Sequence, residues 1–453
     1  MSVTYGQTPG IEVTLEGGTI QGVEVGEEEK LVIFGRGDTG NGSAQTNEYK
    51  QVQSGQDAET FFGAGSELAK ALKDALSNGA NSAYLYGVMP ATQSVTDEDI
   101  TGGGDAADST GGSAIGNAPL IEDTNEITVE DDTGTVMTVK FAYSDVAGMP
   151  APGADEIFIN PLTGAWKADT ADNYNIDYKY LDWSTAFDAA DMVLNEGESG
   201  VYWALSDAES VGSTLAGKAE QLRDPDYKMV KSCSFAQPND NTSESPPDPM
   251  FDTGAYTDGI DSLPHFLFAP GRQEDTVETV GGALGGLTAG NALENPIYGD
   301  HIEGVDLETG KNDEARLTHS ERSDLRSAYV IPLKNEGAIE VDGSLSTYEQ
   351  ANWETDFQTV RVIDRAVLLV RAVGQAIRGD LDTDGADEIA AEEAQARLED
   401  LADRGLLKAN TRDETNLYVR PAGDDTQGTI ALEVGVTPIQ AVETFKTTIT
   451  INS

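Results

Sequence analysis

The chain has one cysteine, three histidines and only 28 lysines and arginines among its 453 residues. A lone thiol, Cys233, excludes an intrachain disulfide and a cysteine-based metal cluster. Histidine is confined to His265, His301 and His319, no H-E-x-x-H pair is present to bind zinc, and there is no G-x-S-x-G elbow for a serine nucleophile. A hydrolytic triad therefore has little to be built from. No stretch reaches the ~18 consecutive apolar residues of a membrane span. The opening MSVTYGQTPGIEV has neither a basic n-region nor an apolar core, so cytoplasmic synthesis without export or membrane insertion is expected. The shortage of positive charge also argues against nucleic acid as a partner, because phosphate neutralisation needs lysine and arginine.

Acid is what the sequence has in excess. The 80 aspartates and glutamates leave a formal charge of -52, and they are spread along the whole chain. A charge of this size repels itself at low ionic strength, whereas at molar salt the Debye length falls to ~3 Å. A halophilic source is expected. The chain is nonetheless 38% hydrophobic, with apolar runs throughout, so it folds around a core and is not an acidic disordered tail. Its length suggests about two to four domains.

Residues 1–25 alternate apolar and polar positions, with Ile11, Val13 and Leu15 ahead of Gly17 and Gly18, and read as an extended arm. Residues 26–90 carry a strand in KLVIFGRG, a helix from Ser66 to Ser77 with Leu68, Leu72 and Leu76 on one face, and a buried strand in SAYLYGV. This is the first part of an α/β core. Residues 91–182 change texture: a Gly and Asp-rich linker precedes two β-like runs around Asp132, Thr133 and Gly134, a hairpin signal, and the segment reads as an inserted β-rich domain. The α/β texture resumes over 183–340. Over 341–453 the strongest helix, from about Asp356 to Arg378, carries Val360, Ile363, Val367, Val370 and Ile377 at spacings near 3.6. A second helix is expected from Glu388, capped by Asp387 and stopped by Gly405. The tail alternates again, with Ile430, Leu432, Val434 and Val436 before Pro438 and Phe445, Thr447, Ile449 and Ile451 after it. A mixed α/β, multi-domain fold with extended strand-like arms at both ends is expected, and such arms have edge hydrogen bonds to satisfy.

Three stretches invite a chemical reading. GDLDTDGADEI opens like a calcium loop, with Asp380, Asp382 and Asp384 before Gly385, but the bidentate acid due at the twelfth place falls on Ala391 and the eighth place is Asp387. A solvated acidic connection between two helices is the favoured account, with those three aspartates as the candidate cation ligands. GRGDTGNG, Gly35 to Gly42, follows a strand as a phosphate loop would, yet lacks the Gly-Lys-Ser/Thr ending. GGALGGLTAG lies within or at the end of a helix, where close helix packing explains its small residues. Cys233, in the apolar run VKSCSF, reads as a buried structural thiol.

The order of these features resembles the contractile tail sheath proteins of myovirus-type tails and related injection machines. TPGIEV is similar to the start of that family, FGAGSELAKALKDALSNGANSAYLYGV to its Phe-Gly, helix, Asn-Gly and strand element, and YVIPL, EGAIEVDGSLST, FQTVRVIDRAVLLVRAVGQAI, LEDLADRGLLKA and GTIALEVGVTPIQAVETFKTTITI to its closing region. The resemblance covers about residues 8–90 and 200–453, leaving 96–182 as outer decoration. It implies a structural subunit, with no enzymatic activity and no cofactor, that polymerises helically around an inner tail tube protein, meets baseplate and tail terminator proteins, and contracts to drive the tube through the host envelope. It also implies a virion tail protein assembled in the host cytoplasm. Ile11, Val13 and Leu15 would lie in a strand donated to a neighbouring subunit, Phe445, Thr447, Ile449 and Ile451 in a second donated strand, and Gly17 and Gly18 at a hinge. Two other classes stand beside this one: a halophilic α/β enzyme of unknown substrate, and an acidic calcium-binding surface protein.

Overall fold

A computed structural model of the chain describes residues 10–15, 29–102, 108–109, 112–170, 173–223, 228–236, 265–269, 277–304, 317–335, 339–347, 356–377, 386–409, 416–422 and 430–439. Strand β1 (Gly10–Leu15) joins a sheet made at the other end of the chain. β2 (Lys30–Phe34) is apolar at successive positions because both faces are covered: Leu31 and Ile33 enter one core, Val32 and Phe34 the other. β3 (Tyr49–Gln51), α1 (Gly55–Phe62), α2 (Glu67–Ser77) and β4 (Leu85–Val88) follow. In α2 the Ser66 hydroxyl accepts the Ala69 amide, Asn78 closes the C-terminus with Gly79 at φ +104°, and Leu68 and Leu72 are fully buried with Leu76 partly so.

Residues 91–182 hold β5 (Ala91–Thr101), β6 (Thr128–Asp131), β7 (Thr138–Phe141), β8 (Glu156–Ile159), β9 (Trp166–Ala168) and β10 (Asn173–Asp182). They form two three-stranded sheets, β5-β10-β6 and β7-β8-β9, around Ile100, Val129, Ile157, Trp166, Tyr174 and Ile176. Ala91 stands opposite Asp182, so the segment leaves and returns through one paired neck. The expected hairpin is only partly made. Its turn forms, with the Asp131 carboxylate accepting the amides of Thr133 and Thr135 and Gly134 at φ +83°, and a single bridge links Glu130 to Val136. Beyond that bridge the two runs separate, because β6 finds β10 and β7 pairs in parallel with β8.

The body continues with α3 (Trp183–Ala189), β11 (Ser199–Ala204), α4 (Glu209–Arg223), β12 (Met229–Phe235), β13 (His265–Ala269), α5 (Val277–Gly290), β14 (His301–Ile302), α6 (His319–Ser327), β15 (Val330–Asn335) and β16 (Ile339–Val341). Among the described residues nine strands make one sheet in the order β14-β16-β15-β13-β12-β11-β2-β4-β3. The six from β15 to β4 are parallel, and antiparallel strands edge both sides. α1, α2 and α5 supply the core on one face of this sheet, while α3 and α4 supply the core on the other.

The small residues of α5 form a packing seam, as their spacing suggests. A Cβ placed on Gly282 would sit 2.1 Å from the Ala71 carbonyl oxygen, on Gly286 2.3 Å from that of Ala75, and on Gly290 2.2 Å from that of Gly79. Three glycines four apart thus let α5 rest directly on the backbone of α2 and the turn that follows it.

The C-terminal unit holds α7 (Phe357–Ile377), α8 (Ala386–Asp403), β17 (Leu417–Pro421) and β18 (Ile430–Val436). Val360, Ile363 and Val370 of the α7 stripe are buried. α8 starts two residues earlier than expected, so Asp387 and Glu388 fall in its first turn, where a carboxylate favours the helix N-terminus, and Asp387 is not the cap. Gly405 ends that region at φ +79°. Among the described residues no helix is long and apolar enough to cross a membrane.

Candidate functional site

Two places combine the two ends of the chain. The first is the sheet β1-β18-β17. β18 lies in the middle, antiparallel to both neighbours, and the register places Ile11 opposite Val434, Val13 opposite Leu432 and Leu15 opposite Ile430. Leu417, Leu432, Val434 and Val436 pack against Val362, Val370, Ala394, Leu398 and Leu401 of α7 and α8. The outer face is polar: Arg420 donates to both carboxylate oxygens of Glu433 at 2.8 and 2.7 Å, with its guanidinium 5.2 Å from the ring centre of Tyr418. That pair holds the Glu433 carboxyl below its ordinary range. Gly435 stands opposite Tyr418, and its missing side chain leaves room for the ring, since a Cβ there would lie 2.2 Å from Tyr418 Cε1.

Ile11, Val13 and Leu15 therefore belong to a strand that pairs with the chain's own C-terminal region. Phe445, Thr447, Ile449 and Ile451, Gly17 and Gly18, and Asp380, Asp382 and Asp384 lie outside the described residues.

The second place is a buried ion-pair network immediately after the N-terminal arm. Glu29 accepts from Lys231 Nζ at 2.7 Å, from Arg361 Nε at 3.1 Å and from the Ser199 hydroxyl at 3.0 Å. Lys231 also reaches Asp364 at 3.1 Å, and Arg223 meets the other Asp364 oxygen at 2.5 Å. Burial alone would raise the Glu29 carboxyl, but Lys231 and Arg361, with the hydrogen bonds from Lys231 and Ser199, outweigh it and hold it below its usual value. The network ties the root of β2, strand β12 and helix α4 to α7, the helix that supports the β18 sheet. The sequence carried a signal for it: Lys231 interrupts the apolar run MVKSCSF, and Arg361 and Asp364 interrupt the apolar face of α7. A charge inside such a run needs a buried partner.

The remaining candidates resolve as packing. In the Gly35 to Gly42 loop, Asp38 turns its carboxylate inward to accept the amides of Gly40 and Asn41 and the Asn41 side chain. The hydrogen bond from the Asn41 side chain first, then that from Gly40, lowers its carboxyl. An anion already occupies the loop, and it is the protein's own. The same loop lies at the turning point of the parallel sheet, between β2 and β11, where open α/β sheets bind ligands. Here Leu205 fills that crevice, close enough that a Cβ on Gly35 would come within 2.6 Å of it and one on Gly281 within 2.5 Å. Cys233 is fully buried, and burial pushes its thiol up. Among the described residues no group of three or more histidine, cysteine or carboxylate side chains stands together as a metal site.

His265 is buried on β13 between Ser232 Oγ at Nδ1 and Ser234 Oγ at Nε2, each at 2.8 Å. Burial lowers its pKa to about 3. Its ring is neutral in the folded chain, while the unfolded chain takes up a proton below about pH 6.5. The histidine thus lowers stability as pH falls from about 6.5 toward 3, by about 2 kcal/mol between pH 7 and pH 5. Urea unfolding at both pH values should show that increment for the native chain over His265→Gln. Equal pH dependence in the two chains would refute it.

Taken whole, the chain has the fold of the contractile-sheath subunits. It is similar to the helical sheath of the anti-feeding prophage in its contracted state, with a TM-score of 0.56 and 13% identity over 99% of this chain and 100% of that one. The sheath complex of an extracellular contractile injection system, PVC, also in the contracted state, gives 0.53 and 11% over 97% and 98%. A sheath tail protein from Desulfitobacterium hafniense gives 0.51 and 15% over 93% and 99%. The mixed α/β fold expected from the sequence is the one found. No protein family matches the sequence, and no curated protein matches it either.

Proposed function

We propose that this chain is the structural subunit of a contractile tail sheath in a halophilic system. It polymerises helically around an inner tail tube, meets baseplate and tail terminator proteins at the ends, and contracts to drive the tube through the host envelope. It is a virion tail protein assembled in the host cytoplasm and carries no enzymatic activity. The observation that supports this most is the end-to-end likeness of fold to subunits of two contracted sheaths. The β1-β18-β17 sheet supplies a physical route, since a strand offered by one subunit completes a sheet in another through backbone hydrogen bonds alone. On this reading Ile11, Val13 and Leu15 form the donated N-terminal strand, Phe445, Thr447, Ile449 and Ile451 the C-terminal one, and Gly17 and Gly18 the hinge.

The domain plan follows: arm 1–25, α/β core 26–90 and 183–340, outer β-rich insertion 91–182 and C-terminal sheath unit 341–453. A heterologous contact that does not close on itself builds a filament, and strands linking rigid bodies let its pitch change without release of subunits. The Asp380 loop holds hydration and cations nonspecifically in high salt.

Electron microscopy in molar salt, with the chain raised in steps to about millimolar concentration, tests the reading. The full-length chain should form hollow sleeves, and a chain lacking residues 1–20 should form none or only disordered ones. Monomers from both, or equal sleeves from both, would count against the sheath role or against the arm as its link.

A further inference from the structure

We infer that the N-terminal strand closes the subunit's own assembly position, so that β1 in cis and the β1 of a neighbour compete for one edge of β18. This rests on the sheath reading above. β18 has two edges, and both are taken within one chain: β17 pairs along one from Leu417↔Val436 to Pro421↔Leu432, and β1 along the other from Gly10↔Gly435 to Leu15↔Ile430. Each edge offers one row of amides and carbonyls, so a second strand cannot add beside β18 while β1 is there.

The tether decides which strand occupies that edge. Residues 16–28 lie between β1 and Glu29, which the buried network holds in place. Thirteen residues reach at most roughly 45 Å when extended; the strand lies on its own β18 here, and on the sheath reading the same reach serves the β18 of an adjacent subunit. For tethers of this length the effective concentration is of millimolar order. Free subunits at micromolar concentration therefore favour the cis pairing by about a thousandfold when the two pairings are alike. The closed subunit stays monomeric until something holds its neighbours close, which in a sheath is the surface of the tube or the growing end. The contact is a brake on polymerisation away from its template.

Two cysteines at directly opposed positions read this state. Opposed residues of an antiparallel pair lie about 4.5 to 5.5 Å apart at Cα, within the span of a disulfide. Glu12 and Glu433 are such a pair, as are Thr14 and Ala431, and the native Cys233 is buried and does not interfere. Glu12→Cys with Glu433→Cys in the full chain, oxidised at micromolar concentration, should give an intrachain disulfide by mass spectrometry and lose sleeve formation, with assembly returning on reduction. The Thr14→Cys, Ala431→Cys chain should repeat this. Sleeves built from the crosslinked monomer would overturn the inference. So would an uncrosslinked monomer whose sleeves give ladders of linked chains, although that result leaves the sheath reading standing. Whether the unaltered chain builds sleeves at all tests that reading separately.

Discussion

Asp364→Asn should destabilise the chain by about 3–5 kcal/mol, the usual loss when one partner is removed from a buried ion network. The substitution changes no volume, so the effect is electrostatic. Asp364 is almost fully buried and accepts from Arg223 on both oxygens and from Lys231 on Oδ2. Without its charge, Lys231 and Arg223 lose the carboxylate they share, and Glu29 still faces Lys231 and Arg361. Lys231→Met should cost less, because it leaves two matched pairs, Glu29 with Arg361 and Asp364 with Arg223. Salt does not reverse this order, since buried pairs are screened far less than exposed ones. Urea unfolding in molar salt, compared by midpoint at constant m-value, measures it. Equal losses from the two variants would show that charge balance is not what holds α7 against the sheet.

Gly282→Ala should destabilise by about 1–3 kcal/mol or more, although the same change on an open helix surface stabilises by up to about 1 kcal/mol. The new Cβ would meet the Ala71 carbonyl oxygen at 2.1 Å, and backbone cannot rotate away as a side chain does. α5 must lift off α2. Gly286→Ala, at 2.3 Å from the Ala75 oxygen, should behave alike. Gly217 on α4 is the control, because it is exposed and a Cβ there meets nothing within 4 Å. Gly217→Ala should be neutral or stabilising. Thermal unfolding of the three variants reads the sign, and a stabilising effect at Gly282 would mean that the two helices do not touch as described.

Local chemistry was legible in the sequence and distant pairing was not. Ser66, Leu68, Leu72 and Asn78 marked α2 because capping and a 3.6-residue stripe act within one helix. The glycines of α5 announced close packing without naming α2 as the partner. α6 leaves no periodic trace, because only Arg322 and Leu325 on it are buried, too few for a stripe, although T-H-S-E spells the capping box that Thr318 and Glu321 form. The first arm and the run from Ile430 to Val436 each read as extended, but no periodicity tells a strand at residue 10 that its partner is at residue 435. In the buried network the interrupting charges of Lys231, Arg361 and Asp364 are visible in the sequence but their pairing is not, since Glu29, Lys231 and Asp364 meet only when the parallel sheet and α7 are in place.

Helical reconstruction by electron cryo-microscopy of the sleeves, at a resolution that traces residues 16–28 from β1 to Glu29, tests the sheath account most directly. The strand beside β18 should belong to an adjacent subunit, in the register that pairs Val13 with Leu432. A sleeve in which every β1 stays on its own β18, with subunits joined only through their bodies, would contradict it.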